Sequence, residues 1–187
     1  ICLMTTLLIL GLLIVIAVVI IVLYNGLVRL VKQVDNGWSQ ISVQLQRRHD
    51  LIPNLVETVK GYAAHEQETM TAVIEARNAA VSANGSGVQQ AAQAEGLLTG
   101  ALSKLFALSE AYPDLKANTN FLKLQEELTS TEDRVSYARQ FYNDSVTKLN
   151  TAISTFPGLI IAKFGSFKER ELFEAEAAAS VVPTVKF

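Results

Sequence analysis

Between residues 27 and 76 the large apolar side chains keep one alternation of three- and four-residue steps: Leu27, Val31, Val34, Trp38, Ile41, Leu45, Ile52, Leu55, Val59, Tyr62, Met70 and Val73. Gaps fall only near Arg48 and Glu66. A repeat of about 3.5 residues belongs to an α-helix packed on other helices, not to a strand, whose faces alternate at every residue. The stripe holds its phase across Pro53, so it predicts one helix running on to residue 80. That helix is kinked or strained at the proline, at a cost of ~3 kcal/mol for the missing NH and the ring clash. A local break capped by the Asp50 carboxylate is the alternative.

Upstream of the stripe, residues 1–23 carry no charge, and residues 7–23 include nothing more polar than Gly11. About 20 apolar residues rising 1.5 Å each match a hydrocarbon core of roughly 30 Å, so residues 1–24 are expected to form a transmembrane helix. A removable leader is the other reading. Against it, the run is long, no small-x-small cleavage site follows, and helical patterning continues straight out of it. Tyr24 and Asn25 suit the membrane interface, and Arg29 and Lys32 follow while nothing basic precedes. The positive-inside rule then puts the rest of the chain in the cytoplasm and the N-terminus outside.

Downstream, the run Ser82-Ala83-Asn84-Gly85-Ser86-Gly87 reads as a flexible tip. A second helix is expected over residues 88–112, burying Leu98, Leu102, Leu105, Phe106, Leu108 and Tyr112. After a turn over residues 113–118, a third helix carries Phe121, Leu122, Leu128, Val135, Tyr142, Val146, Leu149 and Ile153 up to Phe156-Pro157-Gly158. Short loops between long helices imply antiparallel neighbours. The expected fold is all-α: the transmembrane helix continues into a long three- to four-helix up-and-down bundle with coiled-coil-like spacing over residues 25–158. Residues 159–187 are rich in Leu159, Ile160, Ile161, Phe164, Phe167, Leu172, Phe173 and Phe187, interleaved with charge. They read as a short amphipathic fourth helix lying back on the bundle and covering exposed apolar surface or, alternatively, as a contact with a membrane surface or a partner subunit.

Charge and chemistry narrow the function classes. A net charge of −2 and a pI near 5.7 leave no basic field for nucleic acid. Cys2 is alone in the apolar segment, so no intrachain disulfide and no thiolate metal site can form. His49 and His65, sixteen residues apart, fall on opposite sides of one helix and cannot share a metal; both read as parts of a solvated, mixed-charge surface. Asn118, Gln125, Glu132 and Arg139 recur every seventh residue, as do Asn143 and Asn150. The first set is either a solvated face or a buried polar layer meeting Arg47, Arg48, Asp50 or Asn54, where an unpaired charge would cost several kcal/mol. No nucleophile with its base, phosphate loop or paired catalytic carboxylates can be identified, so no enzyme, cofactor, metal or small-molecule substrate is expected.

The motifs Tyr24-Asn25, Val34-Asp35, Trp38, Arg47-Arg48-His49-Asp50-Leu51-Ile52-Pro53-Asn54-Leu55-Val56 and Tyr62-Ala63-Ala64-His65-Glu66 resemble the LemA family of bacterial membrane proteins. So do Ala76-Arg77, Tyr112-Pro113-Asp114-Leu115-Lys116-Ala117-Asn118, Phe121, Leu124-Gln125, Glu132, Arg139, Tyr142-Asn143, Phe156-Pro157 and Phe173. The resemblance implies an N-terminal anchor in the bacterial inner membrane with an antiparallel helical bundle beyond it. It brings no catalytic residues.

Two functions fit these features. The first is a single-pass scaffold whose bundle self-associates into a homo-oligomer, with Ala79, Ala80, Ala91, Ala92 and Ala94 offering a close-packing second face. The second is an adaptor or regulator of a membrane protease or signalling partner, docking through the surface of residues 47–54. The lipid bilayer is a partner in both.

Overall fold

The computed structural model describes residues 2–174, with side chains from Met4 onward. The elements are α1 (Cys2–Lys60), α2 (Gln67–Ala83), α3 (Val88–Ser109), α4 (Pro113–Lys116), α5 (Thr119–Ser154) and α6 (Gly158–Gly165). The described residues hold no strand, and the all-α class follows. The expected tail contacts of residues 175–187, Phe187 included, lie outside the described residues. Among the described residues two compact units emerge: residues 2–38 with 140–171, and residues 39–139 with 172–174.

In the second unit, Ile41, Leu45, Ile52, Leu55 and Val59 of α1 are fully buried, as the stripe requires. Ile52, Leu55 and Val59 share a core with Met70 and Val73 of α2, Leu98, Leu102 and Leu105 of α3, Leu115 of α4, and Phe121 and Leu128 of α5. The α2–α3 hairpin turns at residues 84–87, where Gly87 takes φ 135°, a conformation open to glycine and few others. Ala80, Ala91, Ala92 and Ala94 are buried, so these small side chains are used inside the unit and leave only Ala79 exposed for the second face expected of them. Tyr62 lies as far along the chain from Arg48 as Asn118 lies back from Glu132. Both pairs are hydrogen-bonded or ion-paired, which makes α1 and α5 antiparallel in this unit.

The expectation of a single helix through residue 80 is corrected. The helix passes through Pro53 and ends at Lys60. Gly61 follows, and the Val59 carbonyl accepts from both Tyr62 N (3.0 Å) and Ala63 N (2.8 Å), which closes the last turn. Ala63 fills the core where the stripe had placed Tyr62, whose ring is exposed. His65 lies in this connection and not on the helix. Two further boundaries differ from expectation: the second helix stops at Ser109, and residues 113–116 wind into a short helix of their own. Leu122 is exposed.

In the first unit, α1 and α5 approach closely at Gly37, where an added Cβ would stand 3.1 Å from Tyr142 Cα. Beside it, the Trp38 and Tyr142 rings lie 5.9 Å apart. Where a short amphipathic tail helix was expected, α6 spans Gly158–Gly165 and ends at Ser166 in the left-handed region, and residues 167–174 form no regular element. This following segment is held because α5 supplies partners for its backbone. Asn150 donates to the Arg170 carbonyl and accepts from Arg170 N, both at 2.9 Å, and the Tyr142 hydroxyl donates to the Glu171 carbonyl at 2.9 Å.

From Met4 to Val22 the large apolar side chains of α1 are exposed, and none of the most apolar window is covered by protein. A core helix of a soluble protein would be buried there. This stretch is long and apolar enough to cross a bilayer.

Candidate interaction site: a buried charge cluster

The second unit buries charge at one place. Arg48 and His49 on α1, Glu95 on α3 and Glu132 on α5 converge there. Consecutive residues of a helix point about 100° apart, so Arg48 and His49 reach one acceptor from adjacent directions. Arg48 Nη1 meets Glu95 Oε2 at 3.1 Å, and Nη2 meets Glu132 Oε2 at 2.9 Å. Nη2 also donates to Thr99 Oγ1 at 2.8 Å, while that hydroxyl donates to the Glu95 carbonyl at 3.0 Å. His49 Nε2 lies 2.5 Å from Glu95 Oε1. An ionised carboxylate only accepts, so Nε2 carries the hydrogen. Both Glu95 oxygens are engaged, while His49 Nδ1 is buried without a partner.

The Arg48 and Glu95 side chains are 5% and 7% exposed, and that of Glu132 is 49%. Glu95 is therefore the carboxylate that depends most on Arg48 for a partner, because water reaches Glu132 directly. A cleft of about 210 Å³ runs past the cluster between α3 and α5, lined by Arg48, Thr99, Ser103, Phe106 and Glu132 among others. Among the described residues, no three His, Cys, Asp or Glu side chains are grouped to hold a metal.

The other polar residues singled out in the sequence are dispersed. Arg47 is half exposed, with Glu127 at 3.9 Å. Asp50 is exposed and accepts from Gln46 Nε2 at 2.8 Å. Asn54 is exposed, and its carbonyl accepts from Thr58. Gln125 is half-buried and Arg139 exposed. Asn118 caps α5, its Oδ1 accepting from Phe121 N at 3.0 Å. The seven-residue series is therefore no continuous layer; only Glu132 joins Arg48. His49, expected on a solvated surface, is 1% exposed because Glu95 draws it inward.

Sequence reasoning overlooked Glu95 and Thr99, although a signal for Glu95 was present. Glu95 sits three residues before Leu98 on the same spacing that carries Leu102 and Leu105, in the apolar run Ala91-Ala92-Gln93-Ala94-Glu95-Gly96-Leu97-Leu98. A carboxylate on a buried stripe requires a buried cation.

All of these residues fall within residues 37–187, which match the model of the LemA family. The chain is similar to the magnetosome protein MamQ of Magnetospirillum gryphiswaldense, at 26% identity over 179 residues, covering 83% of this chain and 66% of that protein. Magnetosome protein MamQ 2 of Paramagnetospirillum magneticum is similar to the same extent. Protein LemA of Metamycoplasma hominis is 29% identical over 135 residues, covering 71% of this chain and 60% of its own length. The chain thus spans slightly under two thirds of the length of these relatives. With the family pattern extending from Gly37 across the cluster to the last residue, the chain belongs to the LemA family.

Proposed function

We propose that this is a non-enzymatic, membrane-anchored scaffold that self-associates through its helical bundle at the bacterial inner membrane. The observation that carries this reading is the large apolar side chains left in solvent on the second unit, of which Leu97 at 70% and Tyr137 at 75% are the most exposed, around an interior whose charges engage one another. Side chains of this size in water gain from burial against another chain. The buried ion cluster fits the same reading, since such groups fix the register in which helices pack. Membrane anchoring rests on the exposed apolar stretch of α1. The similarity to the magnetosome protein MamQ and to protein LemA supports an association with membranes. Arg29 and Lys32, just past that stretch, favour a cytoplasmic bundle.

Two differently tagged full-length copies expressed in one cell test this reading. Co-isolation from mildly solubilised membranes, lost on Leu97→Glu or Tyr137→Glu, is expected. Absence of co-isolation of the parent copies contradicts self-association. Protease added to intact and opened cells tests the orientation, and cleavage of the bundle from outside would reverse it.

The adaptor reading keeps one supporting observation: Arg47, Asp50 and Asn54 stand together on the exposed side of α1. Arg48 is withdrawn from that surface. Loss of a co-purifying membrane protein on Arg47→Ala, with self-association intact, would favour docking.

A further inference from the structure

α6 is short and presents its bulk to solvent. Phe164 is 88% exposed, and Leu159 and Ile160 are close to half exposed, while Ala162 faces inward. Leu159 and Lys163 share one helical face with Ile160 and Phe164, since residues four apart stack along a helix. Phe156, at the corner leading into α6, is also largely exposed. No described part of the chain covers these side chains.

Their position within the first unit is what selects the occupant. The corner between α5 and α6 stands against α1, where Phe156 and Pro157 line an open groove of about 300 Å³ with Val22, Leu23 and Leu27. Just past α6, the Phe167 ring meets the Tyr24 ring edge-on, with centroids 5.5 Å apart. Val22 is the last large side chain of the exposed apolar run, and Arg29 and Lys32 follow it within about three turns. α6 therefore sits at the level where α1 changes from apolar to charged. Lys163 and Lys168 are exposed there as well.

We propose that α6 lies in the membrane–water interface beside the emerging anchor, as a second contact with lipid. Leu159, Ile160, Phe164 and Phe156 enter the boundary between acyl chains and headgroups, and Lys163 and Lys168 lie among anionic lipid phosphates. An amphipathic segment with apolar bulk and lysines binds anionic bilayers in this way. The apolar surface of α6 is then continuous with that of α1, and lipid covers both. This inference rests on the anchoring of α1 but not on self-association.

The test uses the full chain reconstituted into vesicles of phosphatidylcholine and phosphatidylglycerol with brominated acyl chains, which quench only indoles they can touch. The parent has one tryptophan, Trp38, whose emission is the baseline. Phe164→Trp adds an indole at an exposed position, so folding is not at issue. Asp144→Trp, exposed on α5 in the same unit and ~18 Å along that helix from the corner, is the control. The expected result is that the emission added by Phe164→Trp is blue-shifted and mostly lost in brominated lipid, while that added by Asp144→Trp is retained. Red-shifted, unquenched emission from Phe164→Trp would place α6 in water, and blue-shifted, unquenched emission would place it against protein; either overturns the proposal. Replacing phosphatidylglycerol by phosphatidylcholine is expected to weaken the quenching, and Lys163→Gln with Lys168→Gln to abolish that lipid dependence. Equal quenching in both lipids overturns the assignment of the lysines. Failure of the parent to float with the vesicles would instead refute the anchor itself.

Discussion

Arg77 Nε donates to the main-chain carbonyl of His49 across 3.2 Å, from α2 to the interior of α1. In an unbroken helix that oxygen would accept from the NH of residue 53, but residue 53 is proline. The guanidinium takes the place of the missing NH, so the helix continues through Pro53 with its freed acceptor satisfied, and α2 is tied to α1 at that level.

This substitution of partners predicts non-additivity. Arg77→Ala in the parent leaves a carbonyl without its donor and is expected to cost ~1–2 kcal/mol. Pro53→Ala supplies the NH, and in that background Arg77→Ala is expected to cost less by at least ~0.5 kcal/mol. Urea unfolding of the four proteins in mild detergent reads the coupling. Strict additivity would mean that the two groups do not serve one oxygen.

The ion cluster predicts unequal costs for its members. Arg48→Met strands a buried Glu95 and is expected to destabilise by ~3–5 kcal/mol, whereas Glu132→Gln, at a half-exposed partner, costs at most ~1 kcal/mol. Replacing Arg48 and Glu95 together by methionine recovers part of the first loss, because no buried carboxylate is then left unpaired. Thermal melts of the full chain check the order. Equal losses at Arg48 and Glu132 would contradict the burial argument.

Gly37 predicts a steric series. An added Cβ meets Tyr142 Cα at 3.1 Å and Phe141 Cδ1 at 3.3 Å, and one of these neighbours is main chain. Gly37→Ala gains up to ~1 kcal/mol in helix propensity against that crowding, so its net effect is small. Gly37→Val adds two methyl groups in the same space and is expected to cost ~1–3 kcal/mol. A stabilising valine would show that the helices do not approach closely here.

Two tyrosines set an alkaline limit. Burial pushes the Tyr142 phenol above its ordinary value of 10.0, Arg170 opposes this, and Glu171 and Asp35 add to it. Tyr112 is also raised, chiefly by the hydrogen bond its hydroxyl donates to Glu66. A folded-state pKa above the unfolded one means that the folded protein holds the proton longer. The associated stability is complete below pH ~10 and is lost as pH climbs through the raised values. The melting temperature is therefore expected to fall above pH ~10 and to fall less steeply in Tyr142→Phe, although that variant starts lower for want of the bond to Glu171. An identical alkaline slope in parent and variant would contradict this.

Much of the helical skeleton was legible because burial repeats along it: Ile41, Leu45, Ile52, Leu55 and Val59 all lie inside on the spacing that announced them. The end of α1 was not legible. Its cause is the turn after Gly61, where Ala63 fills the core position assigned to Tyr62, and an apolar stripe cannot distinguish an in-phase restart from continuity. The cluster was half legible. Arg48 and Glu132 stood out as polar groups, but a seven-residue spacing on one helix does not say which members face inward. Glu95 was hidden among alanines and leucines and becomes meaningful only when Arg48 stands opposite. The course of the chain after Ser166 could not be read locally, since Asn150 and Tyr142, far back on α5, hold it.

The central claim, that this LemA-family chain works by associating with itself at a membrane, is tested most directly by the mass of the full-length protein extracted into native-lipid nanodiscs. Particles holding two or more copies of the 20.4 kDa chain, reduced to one copy by Leu97→Glu with Tyr137→Glu, are the predicted result. A single copy per particle at every protein concentration would contradict it.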